Sequence, residues 1–78
     1  MESKETFLEA FQGLFDETAP EEIQLGTEFK EIGEWSSLTA LATIVMFEEQ
    51  FNTAVNARQI DDAKTVEDLY NITATQNS

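Results

Sequence analysis

Apolar positions near the start of the chain fall at Phe7, Leu8, Phe11, Leu14 and Phe15. Their spacing of i, i+1, i+4, i+7 and i+8 is one stripe of an amphipathic helix and reads as core. It predicts a helix over about 4–16, with Ser3 as N-cap and Glu5 and Glu9 suited to its positive end. Gly13 weakens that helix locally, by about 1 kcal/mol against alanine. From Glu17 to Glu34 the pattern loosens, with Pro20, Gly26 and Gly33 as breakers. Ile23, Leu25, Phe29, Ile32 and Trp35 nevertheless recur through this stretch. A loop this long in a small domain needs side chains that fasten it, and these five are expected to hold it around the bundle. A short helical turn is expected near 28–31.

A second helix is predicted over 37–51, with Ser36 as N-cap, and a short one over 57–61. A last helix over 66–73 follows in TVEDLYNI, where Thr65 is the N-cap and Asp68, three residues on, completes a near variant of the capping box. Val66, Leu69, Tyr70 and Ile72 supply its apolar face, and the tail TATQNS is expected to fray. No strand alternation and no internal repeat is present. The prediction is an all-α single domain over 1–78, a bundle of three longer helices and one short one, with a long loop between the first two.

The second helix carries apolar residues on two faces. Ala40, Ile44, Phe47 and Phe51 share one side and are assigned to the core. Leu38, Leu41 and Val45 form a second stripe, roughly opposite, which Glu48 and Glu49 continue one turn on. A domain this small cannot bury a helix all round, so the second stripe is expected to dock a partner protein unless the long loop covers it.

Composition narrows the chemistry. The 78 residues contain no cysteine and no histidine, which removes disulfides, thiolate and imidazole metal sites, and Ser-His or Cys-His nucleophile pairs. An autonomous enzyme is therefore not expected, nor a metal centre. Asp61, Asp62, Glu67 and Asp68 offer carboxylates near one another in sequence, without calcium-loop spacing. Sixteen acidic residues against four basic ones give a net charge of -12, which repels nucleic acid and anionic lipid and attracts proteins with basic patches. No stretch is long and apolar enough to span a membrane. The polar start MESKETF has no leader character, so the chain is expected in the cytoplasm, where the Asn71-Ile72-Thr73 sequon has no glycosylation role.

One short segment carries chemistry. In EWSSLTAL, residues 34–41, Ser36 is placed to cap the second helix and Ser37 to be its first residue, beside unpaired N–H groups at the positive helix end. A phosphodiester on Ser37 Oγ would be electrostatically favoured there, although two serines also simply start helices.

The order of elements, the acidity and the segments EWSSLTAL, FEEQF, ARQIDDA and KTVEDLYNI together resemble the acyl carrier proteins over nearly the whole chain. The resemblance implies a four-helix bundle of acyl-carrier type. In that family an Asp-Ser-Leu motif opens the second helix, and its serine receives 4′-phosphopantetheine from coenzyme A. The matching triplet is Ser36-Ser37-Leu38, so Ser37 would be the attachment site, and the thiol of the arm would hold acyl or aminoacyl groups as thioesters. The partners implied are a phosphopantetheinyl transferase and basic-surfaced enzymes that transfer or activate acyl groups, met by a monomeric carrier through Leu38, Leu41, Val45, Glu48 and Glu49. The family can also shelter an acyl chain between its helices, a place that Ile44, Phe47 and Leu69 could line or could equally fill by packing.

Two positions depart from that pattern. Ser36 stands where the family has an aspartate that the transferase contacts. Ala42 stands where many fatty-acid carriers have a recognition glutamate. Both point to a dedicated pathway rather than general fatty-acid synthesis. The first also opens an alternative: a carrier-fold protein that binds partners without the prosthetic group. An acidic mimic of nucleic acid is a third reading, weakened because the glutamates scatter rather than track a phosphate spacing.

Overall fold

The computed structural model describes residues 3–76, with side chains through Ala74. Among the described residues there are four α-helices and two 3₁₀ turns, and no strand. The helices are α1 (Lys4–Gln12), α2 (Ser37–Phe51), α3 (Ala57–Asp62) and α4 (Val66–Gln76), and the 3₁₀ turns are Pro20–Glu22 and Phe29–Glu31. Helix α1 packs on α4 and α2, and α2 packs on α3. The all-α bundle read from the periodicity is the fold observed.

The core is built on phenylalanines. Phe7 and Phe11 on α1, Phe29 in the second 3₁₀ turn and Phe47 on α2 are all fully buried. Phe7 is the hub, with ring centroids 5.5 Å from Phe47, 5.3 Å from Phe51 and 5.8 Å from Tyr70. Edge-to-face and tilted pairs at these separations add to simple burial, by about 0.5–1.5 kcal/mol each.

Helix α1 stops four residues before the end its stripe predicts. Gly13 N–H still bonds Glu9 O, but Leu14 N–H and Phe15 N–H turn to Phe11 O and Gln12 O in tighter i→i+3 bonds. The next three N–H groups, of Asp16, Glu17 and Thr18, go instead to the Glu34 carboxylate. A partner eighteen residues away in sequence outcompetes continuation of the helix. Phe15 remains buried.

The long loop is fastened as expected. Ile23 and Phe29 are fully buried, and Leu25, Ile32 and Trp35 pack against the core. Polar contacts finish the attachment. Gln12 Nε2 donates to Pro20 O (2.9 Å) and Ile23 O (2.7 Å). Pro20 suits the start of its turn, where its missing N–H has no partner to lose. Thr27 O and Leu25 O accept the N–H groups of Val66 and Glu67 at 3.1 and 2.9 Å. Those are unpaired donors of the first turn of α4, so the loop carbonyls complete that helix end. Asp68 N–H bonds Thr65 Oγ1 while Asp68 Oδ2 accepts from Thr65 N–H, the reciprocal cap expected there.

Helix α2 is buried on a face centred one residue earlier than its apolar residues indicate. Phe47 and Phe51 are buried as assigned, but they are joined by Thr39, Thr43 and Met46, while Ala40 and Ile44 are only half-buried. The threonines tolerate burial because Thr43 Oγ1 donates to Thr39 O at 2.8 Å and Thr39 Oγ1 to Glu34 O at 3.1 Å. The helix ends at Asn52, in the left-handed region at φ 49°, ψ 40°, with Thr53 N–H returning to Phe47 O. Asparagine accepts that conformation more readily than most residues. Helix α3 has a full capping box between Asn56 and Gln59, which the sequence pattern did not single out. Helix α4 reaches Gln76 rather than ending near 73, so the part of the expected frayed tail that remains, 77–78, lies outside the described residues.

Candidate functional site

The site is the entry to α2. Ser36 is extended (φ -154°, ψ -179°), and its hydroxyl accepts from Thr39 N–H at 3.4 Å, a loose cap. Ser37 is the first helical residue, and both serines are exposed. The hydroxyl of Ser36 is engaged in the cap, whereas Ser37 presents its own to solvent at the end of the helix where N–H groups point outward.

Glu34 fixes this entry to the rest of the loop. Its carboxylate accepts from Asp16 N–H (2.7 Å), Glu17 N–H (3.0 Å), Thr18 N–H (2.9 Å) and the Thr18 hydroxyl (2.9 Å). Its carbonyl accepts from Thr39. Desolvation pushes the Glu34 carboxyl upward, but the donors from Asp16, Thr18 and Glu17 together outweigh it and hold the pKa below its ordinary 4.5. A depressed folded-state pKa means the clamp contributes fully above the ordinary carboxylate value and is lost as pH falls through the folded value. The expected result is a melting-temperature gap between wild type and Glu34→Gln that is open near neutral pH and closes in acid, as pH falls below the ordinary carboxylate range and through the lowered folded-state value. A gap that did not vary with pH would show that the charge is not what holds residues 16–18.

Two grooves flank α2. The first, of about 560 Å³, is lined by Ser36, Ser37, Trp35 and Ala40 on one side and by Ala57, Arg58, Ile60 and Asp61 on the other, with Lys30 at its edge. The second, of about 380 Å³, is lined by Leu14, Leu38, Leu41, Ala42, Val45, Met46, Glu49 and Gln50. Leu38, Leu41 and Val45 are 79%, 57% and 43% exposed, so the long loop does not cover that stripe. Glu48 and Glu49 are exposed beyond it. Neither groove is lined by Ile44, Phe47 or Leu69; Phe47 and Leu69 are fully buried in the core, and Ile44 packs at its edge.

Sequence reasoning brought Ser37 and the Leu38-Leu41-Val45 stripe to one helix, and the structure keeps them there. It missed Leu14, which leaves the α1 stripe to line the second groove, and Lys30, Trp35 and Arg58 around the first. These come from separate elements, and no spacing along the chain marks them. Among the described residues no cluster of three or more acidic, histidine or cysteine side chains could hold a metal ion. Glu67 is instead paired with Lys4 at 2.7 Å. The Asp68 carboxyl is held below its ordinary value by the N–H groups of Thr65 and Lys64. No helix among the described residues is long and apolar enough to cross a membrane. The Asn71-Ile72-Thr73 sequon lies inside α4, with Thr73 buried and its hydroxyl bonded to Tyr70 O.

Comparison with protein families gives a match to a family model described as a phosphopantetheine attachment site, over residues 5–72. Neither the curated proteins nor the solved structures give a match.

Proposed function

The chain belongs to the phosphopantetheine attachment site family, and from that premise we propose that it is an acyl carrier protein with Ser37 as the attachment residue. The carrier function in general follows from the family, whose members hold 4′-phosphopantetheine covalently. The observation that supports Ser37 is its exposed hydroxyl at the first position of α2, beside a groove of about 560 Å³, while the hydroxyl of Ser36 is occupied as the cap. When attached, the group supplies a thiol that this cysteine-free chain otherwise lacks. In the loading step Ser37 Oγ bonds the phosphorus of the pantetheine half of coenzyme A. The bond from that phosphorus to adenosine 3′,5′-bisphosphate breaks, and the serine proton passes to the transferase. The chain itself catalyses nothing, and its cargo is an acyl or aminoacyl group. It works in the cytoplasm, where coenzyme A is supplied.

The test is the intact mass after incubation with coenzyme A and a broad-specificity phosphopantetheinyl transferase. A gain of one phosphopantetheine is expected. No gain with any of several transferases would overturn the assignment.

The exposed stripe and the second groove support docking of acyl-handling enzymes on Leu38, Leu41 and Val45, with Glu48 and Glu49 meeting basic residues at the margin. Because α2 has no acidic residue in its first turn, and Ala42 adds none, the contact is more apolar than ionic. Leu41→Glu is expected to raise the KM of a partner enzyme for the loaded carrier by about tenfold or more. The melting temperature should be unchanged, since the residue is exposed. An unaltered KM would remove the stripe from the interface.

A second reading has one observation in its favour. Ser36 offers no carboxylate where the family's transferase contact lies, and the nearby Glu34 carboxylate is fully engaged with residues 16–18. In that reading the chain is a carrier-fold interaction protein that is never loaded. A partner complex purified from the native host with Ser37 unmodified would favour it.

A further inference from the structure

Only four basic side chains stand against sixteen acidic ones in this chain, yet two of the four, Lys30 and Arg58, line the groove that opens on Ser37. The lining holds one carboxylate, Asp61, whose backbone carbonyl accepts a hydrogen bond from Lys30 Nζ. From the α2 side no carboxylate in the lining offsets the cations. Ser36 is neutral, and Glu34 turns its carboxylate to Asp16, Glu17 and Thr18. The result is a locally positive groove on a strongly negative molecule. Trp35, Ala40, Ala57 and Ile60 give its lining an apolar part.

A molecule of net charge -12 repels an anionic group at long range. An anion tethered at Ser37 would therefore be driven away from the surface unless local cations hold it. We propose that Lys30 and Arg58 make this groove an anion seat for the loaded arm, taking either its phosphodiester or the free carboxylate of a carboxylate-ended acyl cargo. This rests on Ser37 as the attachment residue and adds to it the charge class the groove accepts. Lys30 is held over the groove by its bond to α3, while Arg58, exposed on α3, closes over the anion. Trp35 is the single tryptophan of the chain and lines the groove, so its fluorescence reports occupancy.

The experiment uses the loaded protein, with loading first confirmed by mass. Trp35 emission and the ³¹P shift of the phosphodiester are compared between wild type, Arg58→Glu and Lys30→Gln. Each is prepared with a free thiol, with a methyl-ended acyl group, and with a carboxylate-ended acyl group of equal length. Arg58→Glu is the main variant because Arg58 is exposed and holds no structural bond; Lys30→Gln is read only where its melting temperature matches wild type. In wild type the emission is expected to differ from that of unloaded protein. The difference should vanish in Arg58→Glu, and in wild type at about 1 M salt, where screening acts within roughly 3 Å. Reversal already in the free-thiol form, with a ³¹P shift, identifies the phosphodiester as the seated anion. Reversal confined to the carboxylate-ended form identifies the cargo. Identical emission and ³¹P shift in wild type and Arg58→Glu across all three forms overturn the seat while leaving Ser37 standing. A protein that takes no group at all overturns the attachment site, and the seat with it.

Discussion

Phe7→Ala is expected to leave the protein without a cooperative unfolding transition at physiological temperature. Phe7 is fully buried and touches the rings of Phe47 and Phe51 on α2 and Tyr70 on α4, so it joins three helices at one point. Truncating such a ring removes its burial and leaves a cavity that neighbours fill only in part, at a cost of about 3–5 kcal/mol. A single core in a chain of this size rarely supplies more than about 3–5 kcal/mol of net stability. The loss and the total are thus comparable, and the folded state is not retained. Far-ultraviolet circular dichroism through a thermal ramp measures this, with Leu38→Ala as the contrast. Leu38 is also apolar and also helical, but it is largely exposed, and its loss is expected to move stability by no more than about 0.5 kcal/mol. A cooperative Phe7→Ala transition near the wild-type temperature would mean that the bundle is not centred on that ring.

The contrast between these two residues marks where the chain was legible. The α1 stripe repeats regularly enough that its packing follows from position, and the five apolar residues of the loop were legible because a loop that long needs side chains to fasten it. The caps at Ser3, Ser36 and Thr65 were equally readable, because a cap is a contact within four residues. What escaped the pattern was of two kinds. Buried threonines on α2 were passed over because their hydroxyls count as polar, although a carbonyl four or five residues back satisfies each of them. The early end of α1 and the groove beside Ser37 depend on partners far apart in sequence: Glu34 reaching residues 16–18, and Lys30 and Arg58 lining one groove from the loop and from α3. Periodicity cannot register such meetings, since each residue is unremarkable in its own segment. The motif Ser36-Ser37-Leu38 placed the candidate hydroxyl correctly at a helix start; the charge around that hydroxyl became visible only when the loop was folded onto it.

Substitution of the two adjacent serines separates the chemical role from the structural one. Ser37→Ala is expected to abolish the mass gain entirely, because the acceptor oxygen is removed, while the fold is untouched: the residue is exposed, and alanine is the better helix former. Ser36→Ala should do the reverse. It deletes the hydroxyl that accepts from Thr39 N–H, which costs about 1 kcal/mol at most for so long a cap bond, and it leaves the acceptor in place. Loading therefore continues, on a protein that melts slightly lower. Ser36→Asp completes the set. Aspartate caps at least as well as serine and places a negative charge at the positive helix end, so stability is expected to hold or rise. The same charge supplies the carboxylate that the family's transferase contacts, so the loading rate should increase. It also lies in the lining of the groove that holds Lys30 and Arg58 and would compete there with a seated anion. Faster loading together with a Trp35 signal weakened toward that of Arg58→Glu is the outcome that joins both proposals. Mass gain retained in Ser37→Ala, or lost only in Ser36→Ala, would move the attachment point and refute the reading of α2.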